Sequence, residues 1–312
     1  MERIQKLFNI QYPVVSGGMV WCSGWRLAAA VSNAGGLGLI GAGSMHPETL
    51  REHIQKTKKA SAKPFGVNVP LLYPEPEKIM EIIISEGVKI VFTSAGSPKK
   101  WTSFLHDQGI IVAHVVSSAV FAQKSEDAGV DAIVAEGFEA GGHEGREETT
   151  TMNLIPSVRK ATSLPLLAAG GIATGEQMLA ARVLGADGVQ IGSLFAASAE
   201  SSAHPAFKQR ILETNEGDTK LMLKQLAPVR LIKNEFYQQI EEAEKRGAGI
   251  HELKALLGKG RAKMGMFEGN LSEGELEIGQ CASLIHRIDS VQTIFNRLLS
   301  EYDNAFARLC TK

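Results

Sequence analysis

The 312-residue sequence has little that would tie it to a membrane, a nucleic acid or a disulfide framework. Its apolar runs are short and broken by glycine or polar residues, so none is long enough to cross a bilayer. The N-terminal MERIQKLFNIQYP lacks the apolar core of a signal peptide. Neither charge is in excess: 33 Lys and Arg stand against 34 Asp and Glu, without the basic surplus that draws proteins to nucleic acid or anionic lipid. Nucleic acid and membrane are therefore not expected partners. Three cysteines, Cys22, Cys281 and Cys310, are too few and too scattered for a disulfide scaffold or a zinc knuckle, so no metal site is expected and a reducing cytoplasm is the expected location. There is no GxxxxGK[ST] loop and no GxGxxG fingerprint opening a βαβ unit, which sets aside ATP and a Rossmann-bound dinucleotide.

What the sequence does have is 44% hydrophobic residues, enough for a large core, and 32 glycines. Apolar, β-branched runs recur at 12–16, 37–40, 64–69, 89–93, 110–116, 131–135, 164–169 and 188–191. Segments with helical spacing lie between them, at 25–33, 47–60, 75–86, 98–108, 118–128, 154–162 and 175–184. Eight βα units in about 200 residues, with nearly continuously apolar strands, predict a (β/α)₈ barrel; an open doubly wound sheet is the alternative. Glycine-rich or polar clusters follow nearly every strand, where a barrel collects its active-site loops, and this favours the barrel. The charged, helically spaced stretches 213–245 and 251–263 predict a different second part. The expected organisation is a barrel over 1–212 and an all-helical cap over 213–312, packed on the strand C-termini and selecting substrate.

The segment AEGFEAGGHEGREETTT, residues 135–151, sets His143 among glycines that offer no side chains to pack around it. His143 is the leading catalytic candidate; the competing reading is an imidazole on a surface loop with no role. Two further glycine clusters follow the seventh and eighth expected strands. Gly170, Gly171, Gly192 and Ser193 there form a candidate phosphate cradle, because glycine lets backbone N–H groups approach an anion at a helix start; strand-end turns are the plainer reading. A mononucleotide or a sugar phosphate fits such a cradle. Asn68 and Gln190 could hydrogen-bond an amide edge in both directions, as a flat isoalloxazine ring presents. Asn68 could equally brace backbone, and Met19 fill core.

The motifs YPVVSGGM, SNAGGLGLIGAG, KPFGVNV, AEGFEAGGHEG, LPLLAAGGIATG and GADGVQIGSLF, in this order, resemble the nitronate monooxygenase family (formerly 2-nitropropane dioxygenases), which includes the FMN-dependent enoyl-acyl-carrier-protein reductase II enzymes. The resemblance covers essentially the whole chain. It implies an FMN-binding barrel with a helical second domain and a functional histidine at His143. It also implies that Gly18, Met19, Asn68, Glu136, Gly141, Gly142, Gly170, Gly171, Gln190, Gly192 and Ser193 surround the flavin. The family's reductases commonly read GTRF in the last motif, whereas this chain has Gly192, Ser193, Leu194 and Phe195, so any ionic contact from that arginine is lost. The resemblance implies NAD(P)H-dependent reduction of enoyl-acyl-carrier-protein thioesters first, nitronate oxidation with O₂ second and NAD(P)H:quinone reduction third. NADH or NADPH is the expected electron donor, a small or carrier-protein-bound molecule the expected substrate, and a homodimer an open expectation. A flavin-free barrel acting on a phosphorylated metabolite, or a module that merely holds FMN, is the reading from another class.

Other residues have plainer roles in prospect. His46 and His204, each before a proline, are expected at a helix cap and in the loop after the eighth strand; His114 is expected as a hydrogen-bonded core histidine, with a weaker claim on the site. Cys22 is expected to pack. Glu144, Arg146, Glu147 and Glu148 are expected to face solvent at the site entrance; if Arg146 touches a substrate, a phosphopantetheine or nicotinamide phosphate is the anion expected there.

Overall fold

A computed structural model describes residues 2–73 and 75–311; Met1, Pro74 and Lys312, which fall within the expected ranges 1–212 and 213–312, lie outside the described residues. Eight parallel strands form the barrel wall: β1 (Val14–Ser16), β2 (Gly38–Gly41), β3 (Phe65–Pro70), β4 (Ile90–Ser94), β5 (Ile111–Val116), β6 (Ala132–Glu136), β8 (Leu166–Ala169) and β9 (Gly188–Ile191). The two-residue β7 (Gly142–His143) stands outside the wall. The wall runs β1-β9-β8-β6-β5-β4-β3-β2, and its edges meet where Ser16 N donates to Leu37 O at 3.0 Å and Leu37 N to Val14 O at 2.9 Å. Eight barrel strands were expected and eight are present.

Alternation along each strand divides the core in two. Val15, Leu37, Leu39, Ile90, Phe92, Ala113, Val134, Leu167 and Ala169 face the barrel interior with Ile4 and Phe8 of the first helix, Glu2–Phe8. Phe8 stacks on Phe92 with centroids 5.6 Å apart, so this helix plugs the barrel. The alternate residues, such as Val14, Ile40, Val67, Val91 and Val189, pack outward against the helical ring. The helices begin where the sequence gives them a start. Proline stands in the first turn of Pro47–Ala60 and Pro76–Ser85, and Thr174 with Gln177 forms a capping box on Gly175–Val183. Among the described residues no helix is long and apolar enough to cross a membrane.

The expectation of an all-helical second part is corrected. Strands β10 (Thr219–Met222) and β11 (Val229–Ile232) form an antiparallel hairpin, and β11 pairs on its other edge with β7. The run VRLI is too short and too apolar to be a solvated helix face, and its four residues are all buried. Helices Glu235–Lys245 and Ile250–Leu257 pack on this small sheet around Phe236, Tyr237, Ile240 and Leu253. The last helix, Val291–Cys310, instead lies on barrel helices Gly175–Val183 and Trp25–Asn33. It packs so closely that a Cβ at Gly175 would stand 2.2 Å from Tyr302 N.

Candidate active site

The same alternation places the polar residues at the mouth. Asn68 is in register with inward Phe92, Glu136 with inward Ala169, and Gln190 with inward Val15 and Ala169. Asn68, Glu136 and Gln190 therefore face inward near the C-terminal ends of their strands, above the apolar layers. Asn68 is buried and its Nδ2 donates to Gly18 O at 3.3 Å, so it braces the loop after β1. Gln190 is also buried, and its Oε1 has no hydrogen-bond partner. An unsatisfied buried amide oxygen costs about 1–3 kcal/mol, so this one points to a donor supplied by a ligand.

The glycines of the mouth let its loops approach one another closely. A Cβ at Gly18 would stand 2.1 Å from Asn68 Cβ, and one at Gly170 2.5 Å from Gly137 O. Gly170 and Gly171 hold φ of +87° and +74°, left-handed values that disfavour any side chain. The position of a Cβ on Gly192 is nearly open, with Met19 Sδ at 3.6 Å. Met19 is half-buried beside this opening and packs on the outer core. Ser193 is engaged otherwise: its Oγ accepts from Gly279 N at 3.0 Å and lies against Cys281. Its hydroxyl thus ties the barrel to the segment after residue 274. Inward amides, an orphaned acceptor and side-chain-free loops fit a flat ligand with a hydrogen-bonding edge and a phosphate.

His143 sits in β7, opposite Val229 of β11, with Gly142 opposite Arg230; its side chain is exposed. The adjacent Glu144 N donates to Pro228 O at 2.9 Å. The glycine-rich segment is thus held in a small sheet rather than left as a surface loop. Two of its glycines serve the chain itself. A Cβ at Gly141 would stand 2.4 Å from the Ile278 carbonyl carbon, and one at Gly142, where φ is +82°, 2.7 Å from Glu277 Oε2. The segment Gly274–Gln280 runs directly against the histidine-bearing strand, and sequence reading gave it no role. Its signal was the alternation GELEIGQ: Leu276 and Ile278 are buried, and Glu275 and Glu277 occupy the other parity.

Carboxylates surround this strand. Glu144 was expected in solvent, but its Oε1 is buried and without a partner. Burial, reinforced by Glu136, raises its pKa to about 9, against the pull of Arg230. Burial also raises Glu136 and Glu277 to about 7. Glu275 rises to about 8 through burial and the neighbouring Glu277, while His143 and Arg261 oppose the shift. These four carboxyls bind protons far more firmly than solvated ones. Arg230 is a buried cation beside them; its guanidinium stacks 4.5 Å over the Phe138 ring and donates through Nη2 to Phe138 O at 2.9 Å. Arg146 is exposed, as expected, along with Glu147 and Glu148, and donates to Lys224 O at 3.1 Å and Leu226 O at 2.9 Å.

The remaining candidates take structural places. His114 faces outward, its Nδ1 2.7 Å from Thr93 Oγ1, and burial lowers its pKa to about 4. His46 precedes helix Pro47–Ala60 without a side-chain cap bond, whereas His204 Nδ1 accepts from Ala206 N at 3.1 Å. Burial raises the Cys22 thiol to about 12, leaving it inert packing. Leu194 is buried in the outer core, so the position of the reductases' arginine is apolar here.

A closed (β/α)₈ barrel with inward amides and glycine loops at its mouth, and a histidine strand beside the cap, belongs to the class of barrels that hold a ligand where their strands end. The chain belongs to the nitronate monooxygenase family, whose pattern matches residues 1–301, and it is an oxidoreductase of that flavin-dependent family. FabK from Thermotoga maritima superposes with a TM-score of 0.94 at 39% identity, covering 98% of this chain and 97% of that one. Nitroalkane oxidase from Streptomyces ansochromogenes gives 0.85 at 26% identity, covering 98% and 99%. Among curated relatives, the (3aS,4S,5R,7aS)-5-hydroxy-7a-methyl-1-oxo-octahydro-1H-indene-4-carboxyl-CoA dehydrogenase of Mycobacterium tuberculosis is 33% identical, over 95% of this chain and 94% of its own length. A probable nitronate monooxygenase of Staphylococcus saprophyticus is 30% identical, over 94% and 96%.

Proposed function

We propose that this protein is an FMN-dependent, NAD(P)H-consuming reductase of trans-2-enoyl thioesters, of the enoyl-acyl-carrier-protein reductase II type. FMN, when bound, supplies two-electron transfer from NADH or NADPH to the β-carbon of the thioester. In this reading Asn68 and Gln190 hold the ring edge, with the orphaned Gln190 Oε1 accepting from it, and the backbone of Gly170, Gly171 and Gly192 receives the phosphate. His143 meets the thioester carbonyl and delivers the proton that the α-carbon gains.

The observation that carries this reading is the buried Gln190 Oε1, left without a partner among the inward amides of the mouth, with the exposed His143 held on its own small strand. Enoyl reduction consumes one proton per turnover, and burial moves Glu144 and Glu275 beside the histidine strand toward their protonated forms. The similarity to FabK and to a CoA-thioester dehydrogenase supports the same substrate class. The nitronate monooxygenase reading keeps its own support in the named relatives, with His143 then removing the nitroalkane proton.

Anaerobic mixing separates the two. NADH or NADPH should bleach the yellow protein, and a trans-2-enoyl thioester should restore its colour. Failure of both nucleotides to bleach it, with bleaching by a primary alkyl nitronate, overturns the reductase in favour of the monooxygenase.

A further inference from the structure

A second opening lies on the same face of the barrel, between the segments that follow β2 and β3. It is a cleft of about 210 Å³ whose walls include Met45, Val69, Pro70, Tyr73, Pro76 and Ile79. Val69 follows the inward Asn68 and so points outward, where it is buried in the same apolar cluster as Ile79 of helix Pro76–Ser85. Pro47 and Pro76, which open the two flanking helices, bring no N–H donor to the cleft. The surface it offers a ligand is therefore mainly aliphatic, and the polar side chains at its edge, His46 and Glu75, are exposed to water.

Little separates this cleft from the mouth. A Cβ at Gly43 would stand 2.9 Å from Pro70 Cγ and 3.3 Å from Val20 Cγ2, and one at Gly41 2.6 Å from Met19 O. The loop after β1, which Asn68 braces, thus forms the partition. Tyr73 lines the cleft on the side of Glu277 and Glu275, whose charges add to the effect of its surroundings in raising its hydroxyl pKa, and Glu277 in turn lies against Gly142 of the histidine strand. A molecule with its reacting end below His143 has this cleft beside it, and the chemistry proposed above leaves the cleft unused.

We propose that the cleft receives the acyl tail of the thioester and sets a limit on its length; this rests on the enoyl-thioester reading above. At about 30 Å³ per chain carbon, close to the volume share of a water molecule, the cleft takes roughly seven carbons. Short and medium chains are then seated entirely, and longer ones extend into solvent. Met45, Ile79 and Tyr73 together set the length limit.

The test binds saturated acyl-pantetheine thioesters of four, six, eight and twelve carbons, which cannot be reduced, to the FMN-loaded protein and follows affinity by calorimetry. Affinity should rise about threefold to fourfold per added methylene and level off near eight carbons. In Met45→Trp, where an indole fills the cleft from a half-buried position, the eight-carbon ligand should lose more than tenfold relative to the four-carbon one. Tyr73→Ala is the second variant, should Met45→Trp fail to fold, and should move the levelling-off to longer chains. A flat series in the wild type overturns the proposal, as do parallel series in wild type and variants. A change confined to the KM for NAD(P)H overturns it too, because the cleft then belongs to the nucleotide. Failure of the two readings is distinguishable. A protein that shows the chain-length slope but does not reduce trans-2-enoyl thioesters loses the reductase reading and keeps the tail site. One that reduces them without any dependence on chain length does the reverse.

Discussion

At one end of the barrel the inward side chains of Leu37, Ile90 and Phe92 close on Ile4 and Phe8, all of them buried and apolar. At the other end the inward positions of the same wall are Asn68, Glu136 and Gln190, ringed by glycines, and a buried amide oxygen is left without a partner. The first end satisfies every local rule of packing, and the second breaks several. A chain that leaves Gln190 unpaired and Glu144 buried forgoes stability where it must receive something else. The plugged end should therefore respond to substitution with unfolding and the open end with altered chemistry.

The largest effect expected is at the open end. His143→Ala should lower kcat/KM for the enoyl thioester about 10²- to 10⁴-fold, the span of a lost general acid. Its side chain is exposed, so stability should stay within about 0.5 kcal/mol in urea unfolding. Undiminished turnover would remove the histidine from the mechanism. At the plugged end, Phe8→Ala should cost about 3–5 kcal/mol of stability, because the cavity beside Phe92 cannot collapse against a closed wall. A loss below about 1 kcal/mol would mean that the first helix rests on the barrel rather than filling it.

Gln190→Leu sharpens the contrast at a single inward position. Removing an unsatisfied buried amide should leave the apoprotein as stable, or more stable by about 1 kcal/mol. The same change should weaken FMN binding about tenfold, the worth of one hydrogen bond to the ring edge, as measured by flavin fluorescence on titration. Destabilisation without any change in FMN affinity would make Gln190 a core residue and not a ligand contact.

The barrel was legible because its signals are local and repeated. Strands such as Gly188–Ile191 and helices such as Trp25–Asn33 and Pro47–Ala60 have the bounds that periodicity and prolines give them. The inward amides were legible as residue types in the right strands. The cap was less so. VRLI carries no turn chemistry that marks it as the middle strand of a three-stranded sheet, and its partner β7 is two residues long, a pairing fixed by tertiary contact alone. Gly141 and Gly142 are expected from the resemblance to line the flavin, and what stands against them is Ile278 and Glu277, more than a hundred residues away in sequence. The burial of Glu144 was illegible for the same reason, since the sequence around it, HEGREE, looks like a solvated run.

That buried carboxyl gives the smallest effect, and one that separates the two ends by pH. Glu144 has a pKa raised from 4.5 to about 9 by burial, with Glu136 and Glu139 adding to the shift and Arg230 opposing it. Between those values the folded protein holds a proton that the unfolded chain has released, so stability falls as pH rises. The contribution is fully present below about pH 4.5 and is lost as pH climbs through the folded value near 9. Glu144→Gln keeps the shape and removes the titration. The apoprotein's Tm should therefore decline more steeply between pH 6 and 9 in the wild type than in Glu144→Gln, while Phe8→Ala lowers Tm by the same amount at every pH. Parallel pH profiles for wild type and Glu144→Gln would show that the carboxyl is hydrated and ionised in the folded protein, and the open end would then be electrostatically as ordinary as the plugged one.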